Sequence, residues 1–537
     1  MAKKKHKGEL PQPKRIDLKA SEMQDFLKRV KDRALAEADY EIIEAMMETI
    51  QCLSQALEEK ATSIKRLLGY LFGAPTETAK NVLPEDESAD QSSTPPQKPQ
   101  GEKKPKRKGH GRNGAASYTG AERVAVEHPE LKSGDLCPAC EMGKVYELSL
   151  PSTVVRIVGS APLKATVYEL ARLRCNLCGM LFTAPAPEGA GEGKYDDSAT
   201  AMVALLKYGC GMPFYRMEKL QAQTGMPVPA STQWELLDAA EKIAFPAFAA
   251  LFLLAAQGRL IHNDDTTMKI LSELRTQDPE STRKGIFTTG IVSLYEDKKI
   301  ALFMTGHNHA GENIEEVLKQ RASGLAPPQQ MCDGAKRNIP KNFLTILCNC
   351  MTHARRQFVD VVEAFPEDCR YVIELLGKVY HHDDLAKEQG LGPEERMAFH
   401  QERSGPLMEE LKAWCEEQLA EKKVEPNSGL GKAINYMLNR WPELTRFLHI
   451  PGAPLDNNLV ERALKLTVLF RKNCYFFKTL HGAHVGDVFM SLIHTCQLAG
   501  ENPFEYLTAL LKNGAKVAKA PGQWLPWNYR VTLSSQR

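Results

Sequence analysis

Residues 73–116 form a stretch that cannot build a hydrophobic core, and it divides the chain into separate folding units. Acidic residues come first, prolines follow, and the stretch ends in the basic run GEKKPKRKGHGRNG. Such a composition buries too little apolar surface to offset the entropy lost on folding. We therefore predict a disordered basic linker at 73–116 and a multidomain α+β architecture for the 537-residue chain.

The basic run of this linker is the clearest candidate for contact with phosphate groups. Its cationic side chains crowd into a few positions: Lys103, Lys104, Lys106, Arg107 and Lys108. A run of like charge is often no more than a solvated tail. The whole chain carries a net charge of only +2, so attraction to nucleic acid has to come from local patches such as this one.

The residues before the linker predict a helix that associates with a second copy of itself. Residues 1–20 are basic and predict a disordered arm, whereas 21–72 contain no proline and have a helical composition. Apolar residues recur there at steps of three and four: Ile43, Met46, Ile50, Leu53, Leu57, Ile64, Leu67 and Leu71. This is the a/d pattern of a coiled coil, which favours a homodimer or larger oligomer. One amphipathic helix packed on its own domain is the alternative.

Two C-x-x-C pairs after the linker have the residue types of a structural zinc site. The pairs are Cys137 with Cys140, and Cys175 with Cys178. Four thiolates give the tetrahedral sulfur set that Zn²⁺ prefers, although the two pairs lie farther apart than is usual. Two unrelated reduced pairs are the alternative. We predict a zinc ribbon-like DNA-binding domain over 117–190, with strands at 154–157 and 165–168.

Residues 195–257 are helical in composition and contain a candidate helix-turn-helix. Residues 213–220 predict a first helix, and 224–226 predict a tight turn. Ser231 then caps a second helix over 232–240. A helical hairpin in a bundle explains the spacing equally well, and the second helix carries few basic residues for phosphate contact.

Residues 258–365 predict an α/β domain with a mixed sheet. Three strand-like runs, one helical run and a fourth strand-like run follow one another: 259–271, 285–296, 299–305, 311–322 and 329–334. Such an order is typical of strands packed with helices in one domain. Residues 366–450 are helical and highly charged, which predicts an insertion, and 451–537 predict a return to the domain followed by C-terminal helices.

Acidic residues inside these strands are candidate functional residues. Asp264 and Asp265 lie within the first strand, and Asp333 ends the last. A carboxylate in an apolar strand is costly unless it is paired or bound to a metal ion. Because side chains alternate along a strand, only one of Asp264 and Asp265 faces the same site as Asp333, and periodicity leaves open which one.

Glu461 is a third candidate, and its spacing allows two interpretations. It lies in the first turn of a predicted helix that follows the segment GAPLDNN. Asn458 stands three residues before it, as in a capping box, where the acid accepts from a free backbone amide. Metal ligation from a helix packed on the sheet is the alternative. Asp456 lies off the helical face of Glu461, so we interpret it as a turn residue.

Several long segments, in one order along the chain, resemble a known family. They are HNDDTTMKIL, MCDGAKRNIP, CNCMTHARRQF, GAPLDNNLVERALK and FRKNCYFFKT. From about residue 40 to 530 the chain resembles the insertion-sequence-sixty-six family of bacterial transposases. The resemblance implies an RNase-H-like mixed-sheet catalytic domain that begins in 258–365, carries the helical insertion, and is completed within 451–537.

The resemblance also implies a DDE-type active site. Its three acids fall on Asp264, Asp333 and Glu461, with Asp265 and Thr267 in the places of the family's commoner Glu and Pro. Clustered carboxylates repel one another unless cations hold them, and Mg²⁺ (or Mn²⁺) takes carboxylate and phosphate oxygens. We expect the three acids to hold these ions, to cleave the ends of the element and to join them to target DNA.

Basic residues within the same segments are candidate DNA contacts, and they are Arg355, Arg356, Arg471 and Lys472. His353 lies beside the first two and is a candidate for phosphate binding. The expected partners are double-stranded DNA, at the element ends and the target, and small accessory proteins of the same element. Two other functions stay open: a non-catalytic zinc-ribbon DNA-binding protein, and an RNase-H-like structure-specific nuclease.

The chain lacks the sequence features of an exported or membrane protein. No apolar run approaches the roughly 18 residues of a membrane span, and the charged start lacks the apolar stretch of a signal peptide. The 13 scattered cysteines fit a reducing compartment. We expect a cytoplasmic, nucleoid-associated bacterial protein that does not bind membranes.

Overall fold

The described part of the chain falls into two compact units. The computed structural model describes residues 20–32, 34–37, 39–44, 46, 115–117, 123–126, 129–146, 148, 152–157, 159–174, 176, 178, 180–191, 193–275 and 285–535. The first unit, here called the helical unit, comprises Met1–Asp86, Arg355–Glu388 and Pro406–Tyr436. The second, here called the sheet unit, comprises Glu87–Ala354, Gln389–Gly405 and Met437–Arg537. Of residues 366–450, which the sequence predicts as a helical insertion, 366–388 and 406–436 belong to the helical unit and 389–405 and 437–450 to the sheet unit.

Strands and α-helices are numbered in chain order over the described residues. The strands are β1 (Arg172–Arg174), β2 (Leu181–Thr183), β3 (Leu260–Thr267), β4 (Phe287–Tyr295), β5 (Lys298–Gly306), β6 (Gln329–Cys332) and β7 (Ile346–Asn349). The helices are α1 (Ala20–Lys31), α2 (Asp197–Ala204), α3 (Phe214–Gln223), α4 (Ala230–Ala256), α5 (Leu271–Arg275), α6 (Ala310–Leu318), α7 (Met351–Val359), α8 (Pro366–Glu388), α9 (Pro393–Arg403), α10 (Gly405–Ala420), α11 (Gly429–Leu438), α12 (Trp441–Leu444), α13 (Asn458–Cys474), α14 (Leu480–Leu498), α15 (Pro503–Lys512), α16 (Gly514–Lys519) and α17 (Tyr529–Ser534).

The sheet unit is built around a five-stranded sheet in the order β5-β4-β3-β6-β7. β3, β4 and β5 are antiparallel neighbours, whereas β6 runs parallel to β3 and β7 runs parallel to β6. The predicted mixed sheet is thus confirmed. The prediction contains no counterpart of β7, which has four residues, whereas β6 has the same length and lies within the predicted run 329–334. It also extends the first strand to 271, whereas β3 ends at Thr267.

β5 is the outer strand of this sheet, and one helix satisfies its free backbone N–H groups. Asp487, Ser491 and Thr495 stand four residues apart on α14 and accept from three alternate residues of β5 at 2.7, 2.9 and 3.0 Å. A helix advances about 6 Å in four residues and a strand about 6.6 Å in two, so the two series match. The helix therefore covers an edge that would otherwise be open to another strand.

α4 is longer than the helix that the sequence predicts in this region. It begins at Ala230 after the N-cap residue Pro229 and runs for 27 residues, so the prediction that Ser231 caps a helix over 232–240 is wrong. Its length and apolar composition would also allow it to cross a membrane, contrary to the expectation of no such segment. Buried residues such as Leu237, Leu251 and Ala255 belong to the hydrophobic core, which is an ordinary reason for that composition.

The described N-terminal residues do not form the continuous helix predicted for 21–72. α1 ends at Lys31, and residues 34–36 are not helical. Asp39 accepts from Ala36 N at 2.9 Å, and its two carboxylate oxygens accept from the guanidinium of Arg29. Of the predicted coiled-coil positions, only Ile43 and Met46 lie within the described residues, and the basic run of the linker lies outside them.

The predicted zinc ribbon is described only in part. Cys137 and Cys140 lie on a turn in which Cys137 N donates to Gly143 O at 2.7 Å. Hydrogen bonds from backbone N–H groups, first that of Met142, lower the pKa of Cys140. The strands predicted at 154–157 and 165–168 are not formed, since β1 pairs with β2 instead. Cys178 is exposed, and Cys175 lies outside the described residues.

Candidate catalytic and metal-binding site

Asp264 and Asp333 lie side by side around one shared hydrogen-bond donor. The parallel register of β3 and β6 pairs His262 with Met331, so Asp264 comes level with Asp333 two residues further along. Asn338 Nδ2 donates to Asp333 Oδ1 at 2.8 Å and to Asp264 Oδ1 at 3.3 Å. The two carboxyl groups predicted from sequence are therefore brought together by the parallel half of the sheet.

The electrostatic environment of Asp264 disfavours its charged form. Burial is the largest cause that raises the pKa of Asp264 to about 7, followed by the charges of Asp333, Asp265 and Glu461. The hydrogen bond that Asp265 N donates to Asp264 Oδ1, at 2.8 Å, opposes this rise. A divalent cation would supply the positive charge that the ionised carboxylates lack, and carboxylate oxygens suit Mg²⁺.

Asp265 makes different contacts from Asp264, as the alternation of side chains along a strand requires. Its side chain is 2% exposed, and its Oδ2 lies 2.8 Å from His309 Nδ1. The guanidinium of Arg337 lies 3.5 Å from its other carboxylate oxygen. Of the two neighbouring acids, Asp264 is the one that shares Asn338 with Asp333.

Glu461 lies in the first turn of α13 and does not cap that helix. Asn457 is the N-cap residue and makes no side-chain capping bond; instead, Asn458 N donates to Asp456 Oδ1 at 3.0 Å. Asp456 is thus the turn residue that the sequence predicts. Within the described residues, the buried Glu461 Oε1 has no hydrogen-bond partner, so the capping-box interpretation is wrong. The charge of Glu461 acts on Asp264, as noted above.

Asn457 fixes the start of α13 against β3. Its Nδ2 donates to Asn263 O at 3.0 Å, and its Oδ1 lies 3.1 Å from His262 Nδ1. Burial lowers the pKa of His262 to about 4, which keeps the ring neutral at physiological pH. His262 and Asn263 immediately precede Asp264 on β3, and Asn457 precedes the helix that carries Glu461. Their contacts therefore set the position of Glu461 relative to Asp264.

A buried amide network holds Asn338 in place behind the acids. Asn338 O accepts from Asn263 Nδ2 and from Gln330 Nε2, each at 2.8 Å. Gln330 Nε2 also donates to Asn263 Oδ1 at 2.9 Å, and its Oε1 accepts from Thr345. Because Asn263 and Gln330 lie on β3 and β6, the network ties Asn338 to the two strands that carry Asp264 and Asp333.

Gly334 allows the turn that follows Asp333. Its φ is +77°, in the left-handed region that favours glycine. A Cβ atom there would lie 2.9 Å from Asn349 Oδ1 and 3.1 Å from Arg440 Nε. After the turn, Ala335 N donates to Asp333 Oδ1 at 2.8 Å. The chain can therefore fold back over the Asp333 carboxylate only because residue 334 has no side chain.

A second group of potential metal ligands adjoins Glu461. Sγ of Cys350, a ring nitrogen of His353 and a carboxylate oxygen of Glu461 lie within 4.8 Å of one another. His353 Nδ1 is 3.9 Å from Glu461 Oε1. Burial raises the pKa of the Cys350 thiol to about 11. Nothing in the sequence pattern indicates this role, since Cys350 is one of 13 cysteines and one of two in the segment CNCMT.

The predicted basic DNA contacts have different surroundings. Arg471 Nη1 donates to the hydroxyls of Thr266 and Thr267, at 2.9 and 2.7 Å, and to the carbonyl of Thr267. Lys472 is exposed. Arg355 and Arg356 lie on α7 and are assigned to the helical unit. DNA contact by any of these residues stays a prediction, as does zinc binding by the paired cysteines.

A family comparison decides the class of protein. The profile of the transposase IS66 family matches residues 192–485, which is more than half of the chain. The chain belongs to that family. The matched region contains Asp264, Asp333 and Glu461, and the resemblance predicted from sequence is confirmed. Membership implies DNA substrates and the use of divalent metal ions.

Curated relatives of this transposase extend the similarity along nearly the whole chain. The uncharacterized protein y4jD of Sinorhizobium fredii is 24% identical over 531 residues, covering 92% of this chain and 99% of that protein. The uncharacterized protein y4hP of the same organism is 25% identical over 441 residues, covering 76% of this chain and 75% of that protein. The similarity therefore includes segments outside the family match.

Proposed function

We propose that this transposase cleaves the ends of its own insertion sequence and joins them to target DNA, using Asp264, Asp333 and Glu461 as a DDE site for Mg²⁺ or Mn²⁺. The observation that carries the proposal is the shared Asn338 donor, which holds two acids from different strands at one place. The order β5-β4-β3-β6-β7, in which only β4 runs opposite to the other four strands, supports an RNase-H-like assignment of the catalytic domain.

The residues of the site fit divalent cations with a preference for oxygen ligands. Asp264 has a raised pKa, and the buried Glu461 Oε1 has no hydrogen-bond partner within the described residues. When bound, such ions activate a water or a 3′-hydroxyl and stabilise the leaving oxygen of a phosphodiester. Asp264 and Asp333 would hold the ions between them, and Glu461 would complete their coordination from α13.

The protein supplies the rigidity of this arrangement. Asn338 orients both aspartates, and Asn457 fixes the first turn of α13 against β3. Arg471 on α13 contacts Thr266 and Thr267 at the end of β3, and we include it with Lys472 among the proposed DNA contacts. The linker run, the zinc ribbon and the arginines Arg355 and Arg356 are also proposed to bind DNA. Homodimers would pair two element ends.

The test is Mg²⁺-dependent cleavage and joining of terminal DNA by the full chain, with the accessory proteins of the element present. Asp333→Asn and Glu461→Gln should lower both steps by at least about 100-fold while thermal unfolding stays cooperative. Glu316→Gln is the matched control, because Glu316 is an exposed acid on α6 paired with Lys319 at 2.6 Å. Its activity should match that of the unchanged protein.

Each other result has a defined meaning. Full activity of Asp333→Asn and Glu461→Gln would refute the catalytic assignment. Cleavage without joining of the 3′ end would favour a structure-specific nuclease. Specific binding of terminal DNA with neither step, in Mg²⁺ and in Mn²⁺, would favour a non-catalytic DNA-binding protein.

A further inference from the structure

Cys350, His353 and Glu461 converge where two elements of the sheet unit meet. Cys350 immediately precedes α7, His353 lies in its first turn, and Glu461 lies in the first turn of α13. Met351 N donates to Leu455 O at 3.0 Å, which joins the two helix starts. This backbone hydrogen bond therefore fixes the two segments that carry the three side chains of the cluster.

Two atoms of the cluster are buried and lack ordinary partners. His353 Nδ1 and Glu461 Oε1 make no hydrogen bond within the part of the chain that the structure describes. Their separation of 3.9 Å exceeds hydrogen-bond length. A buried polar atom left without a partner destabilises the fold, so a ligand that satisfies both atoms at once would be favoured.

The distances suit one metal ion. Zinc lies roughly 2.0–2.2 Å from nitrogen and oxygen ligands and about 2.3 Å from sulfur. Tetrahedral angles would place ligand atoms about 3.4–3.7 Å apart, so a group already within 4.8 Å has to contract by only about 1 Å. Cys350 Sγ also accepts from Asn457 N at 3.2 Å, an interaction that favours a thiolate, whereas burial raises the pKa of the free thiol, so metal binding has to displace its proton.

We propose that Cys350, His353 and Glu461 bind a borderline-soft transition-metal ion such as Zn²⁺, at a site that adjoins the oxygen-ligand site of Asp264 and Asp333 and shares Glu461 with it. Sulfur and imidazole ligands are poor for Mg²⁺ and good for Zn²⁺. Three protein ligands leave the fourth position of a tetrahedral ion for water. Glu461 belongs to both sites, so zinc binding withdraws this carboxylate from the site of the two aspartates.

The first test measures metal content and does not depend on DNA chemistry. The full chain is dialysed against a buffer with a fixed concentration of free Zn²⁺, and the zinc bound per chain is measured by inductively coupled plasma mass spectrometry. Cys350→Ser and His353→Gln should each lower the content by one zinc per chain. Cys348→Ser is the matched control, because this buried thiol lies two residues away and outside the cluster. Any zinc held by Cys137 and its partners is present in every variant and cancels.

A spectrum provides a second readout of the same site. Co²⁺ is bound in place of Zn²⁺, and the absorption spectrum of each variant is subtracted from that of the unchanged protein. The difference spectrum for Cys350→Ser should show a thiolate-to-cobalt band, and the difference spectrum for Cys348→Ser should show none. Equal metal content in the unchanged protein, Cys350→Ser and His353→Gln would overturn the proposal. A loss in Cys348→Ser equal to that in Cys350→Ser would also overturn it, since it would mean general damage to the core.

The regulatory consequence rests on the proposed function and has its own test. Zn²⁺ added to a Mg²⁺-dependent cleavage reaction should inhibit the unchanged protein, and Cys350→Ser should need at least about 10-fold more Zn²⁺ for the same inhibition. Equal inhibition of both would refute the competition for Glu461. If the unchanged protein cleaves no DNA, the proposed function fails while the metal-content result still decides the zinc site.

Discussion

Asn457 Oδ1 lies 3.1 Å from His262 Nδ1, and both side chains are almost completely buried. Because the imidazole is neutral and Asn457 Nδ2 is already donating to Asn263 O, the ring N–H is the donor of this bond. The contact joins the strand that carries Asp264 to the helix that carries Glu461. Two acids far apart in sequence are thereby held by a pair of residues with no acid–base role of their own.

Asn457→Ala should therefore damage both stability and activity. The change leaves the ring N–H of His262 without its partner and removes the bond from Asn457 Nδ2 to the Asn263 carbonyl, which costs about 1–3 kcal/mol of unfolding free energy. It also frees the first turn of α13, so DNA cleavage should fall at least about 10-fold in folded protein. Denaturant unfolding and cleavage assays at one temperature would measure the two effects.

Asn458→Ala is the control for this prediction, because the Asn458 side chain bonds only to Asp456, at 2.8 Å, in the described structure. A loss of activity in Asn458→Ala as large as in Asn457→Ala would contradict the anchoring role of Asn457.

Metal-free protein should lose stability as pH rises through the raised pKa of Asp264. The folded state holds the proton more tightly than the unfolded state, whose Asp264 has the ordinary value of 3.8. The favourable contribution of protonated Asp264 to the unfolding free energy is thus complete below about pH 4 and is lost as pH rises through about 7. Asp264→Asn removes this pH-dependent loss of stability. At pH 8 it should raise the unfolding free energy of the metal-free protein by at most about 4 kcal/mol. Thermal unfolding between pH 5 and 8 checks the sign.

Asp487→Asn separates the metal effect from the effect of pH. Burial raises the pKa of Asp487 to about 7 as well, but this carboxyl accepts from Thr305 on β5 and α14 carries none of the three acids. Both variants should flatten the pH profile. Mg²⁺ should stabilise Asp487→Asn as it does the unchanged protein, and should no longer stabilise Asp264→Asn. Equal responses to Mg²⁺ would argue against Asp264 as a metal ligand.

Gly334→Ala should impair catalysis more than its backbone strain alone explains. The new Cβ would lie 2.9 Å from Asn349 Oδ1, so the turn that positions Asp333 has to move. We expect at least about a 10-fold loss of cleavage. Gly390→Ala is the matched control, since its φ is also positive, at +65°, and nothing lies within 4 Å of the added atom. Similar activity in both variants would contradict the steric argument.

Ser491→Ala should weaken the junction between α14 and β5. The hydroxyl accepts from Phe303 N at 2.9 Å, and its loss leaves this edge N–H buried without a partner. The expected cost is about 1–3 kcal/mol of unfolding free energy. Thr508→Val is the comparison, because Thr508 Oγ1 donates only to a carbonyl of its own helix, at 2.8 Å. Its cost should be smaller, and an equal cost would count against edge capping.

Sequence patterns predict much of the central sheet but not its smallest strand or its caps. The runs that become β3, β4 and β5 are long enough to show a strand pattern, and the short β6 lies within a predicted run, whereas β7, which is as short as β6, has no predicted counterpart. Ser231 has the right residue type for an N-cap, yet α4 begins at Ala230 because its apolar length packs into the core. Tertiary burial overrides a local capping preference worth about 1 kcal/mol.

The sequence by itself determined the family and predicted the mixed sheet, because these depend on motifs and on apolar patterns along single segments, and the family resemblance nominated the three candidate acids. It established that Asp264 and Asp265 face opposite ways. Tertiary structure decided which of them meets Asp333, since that depends on the register of β3 against β6 and on Asn338, which no pattern along one strand contains. It also placed Cys350 and His353 beside Glu461, because side chains separated by about a hundred residues meet only when two helix starts pack together.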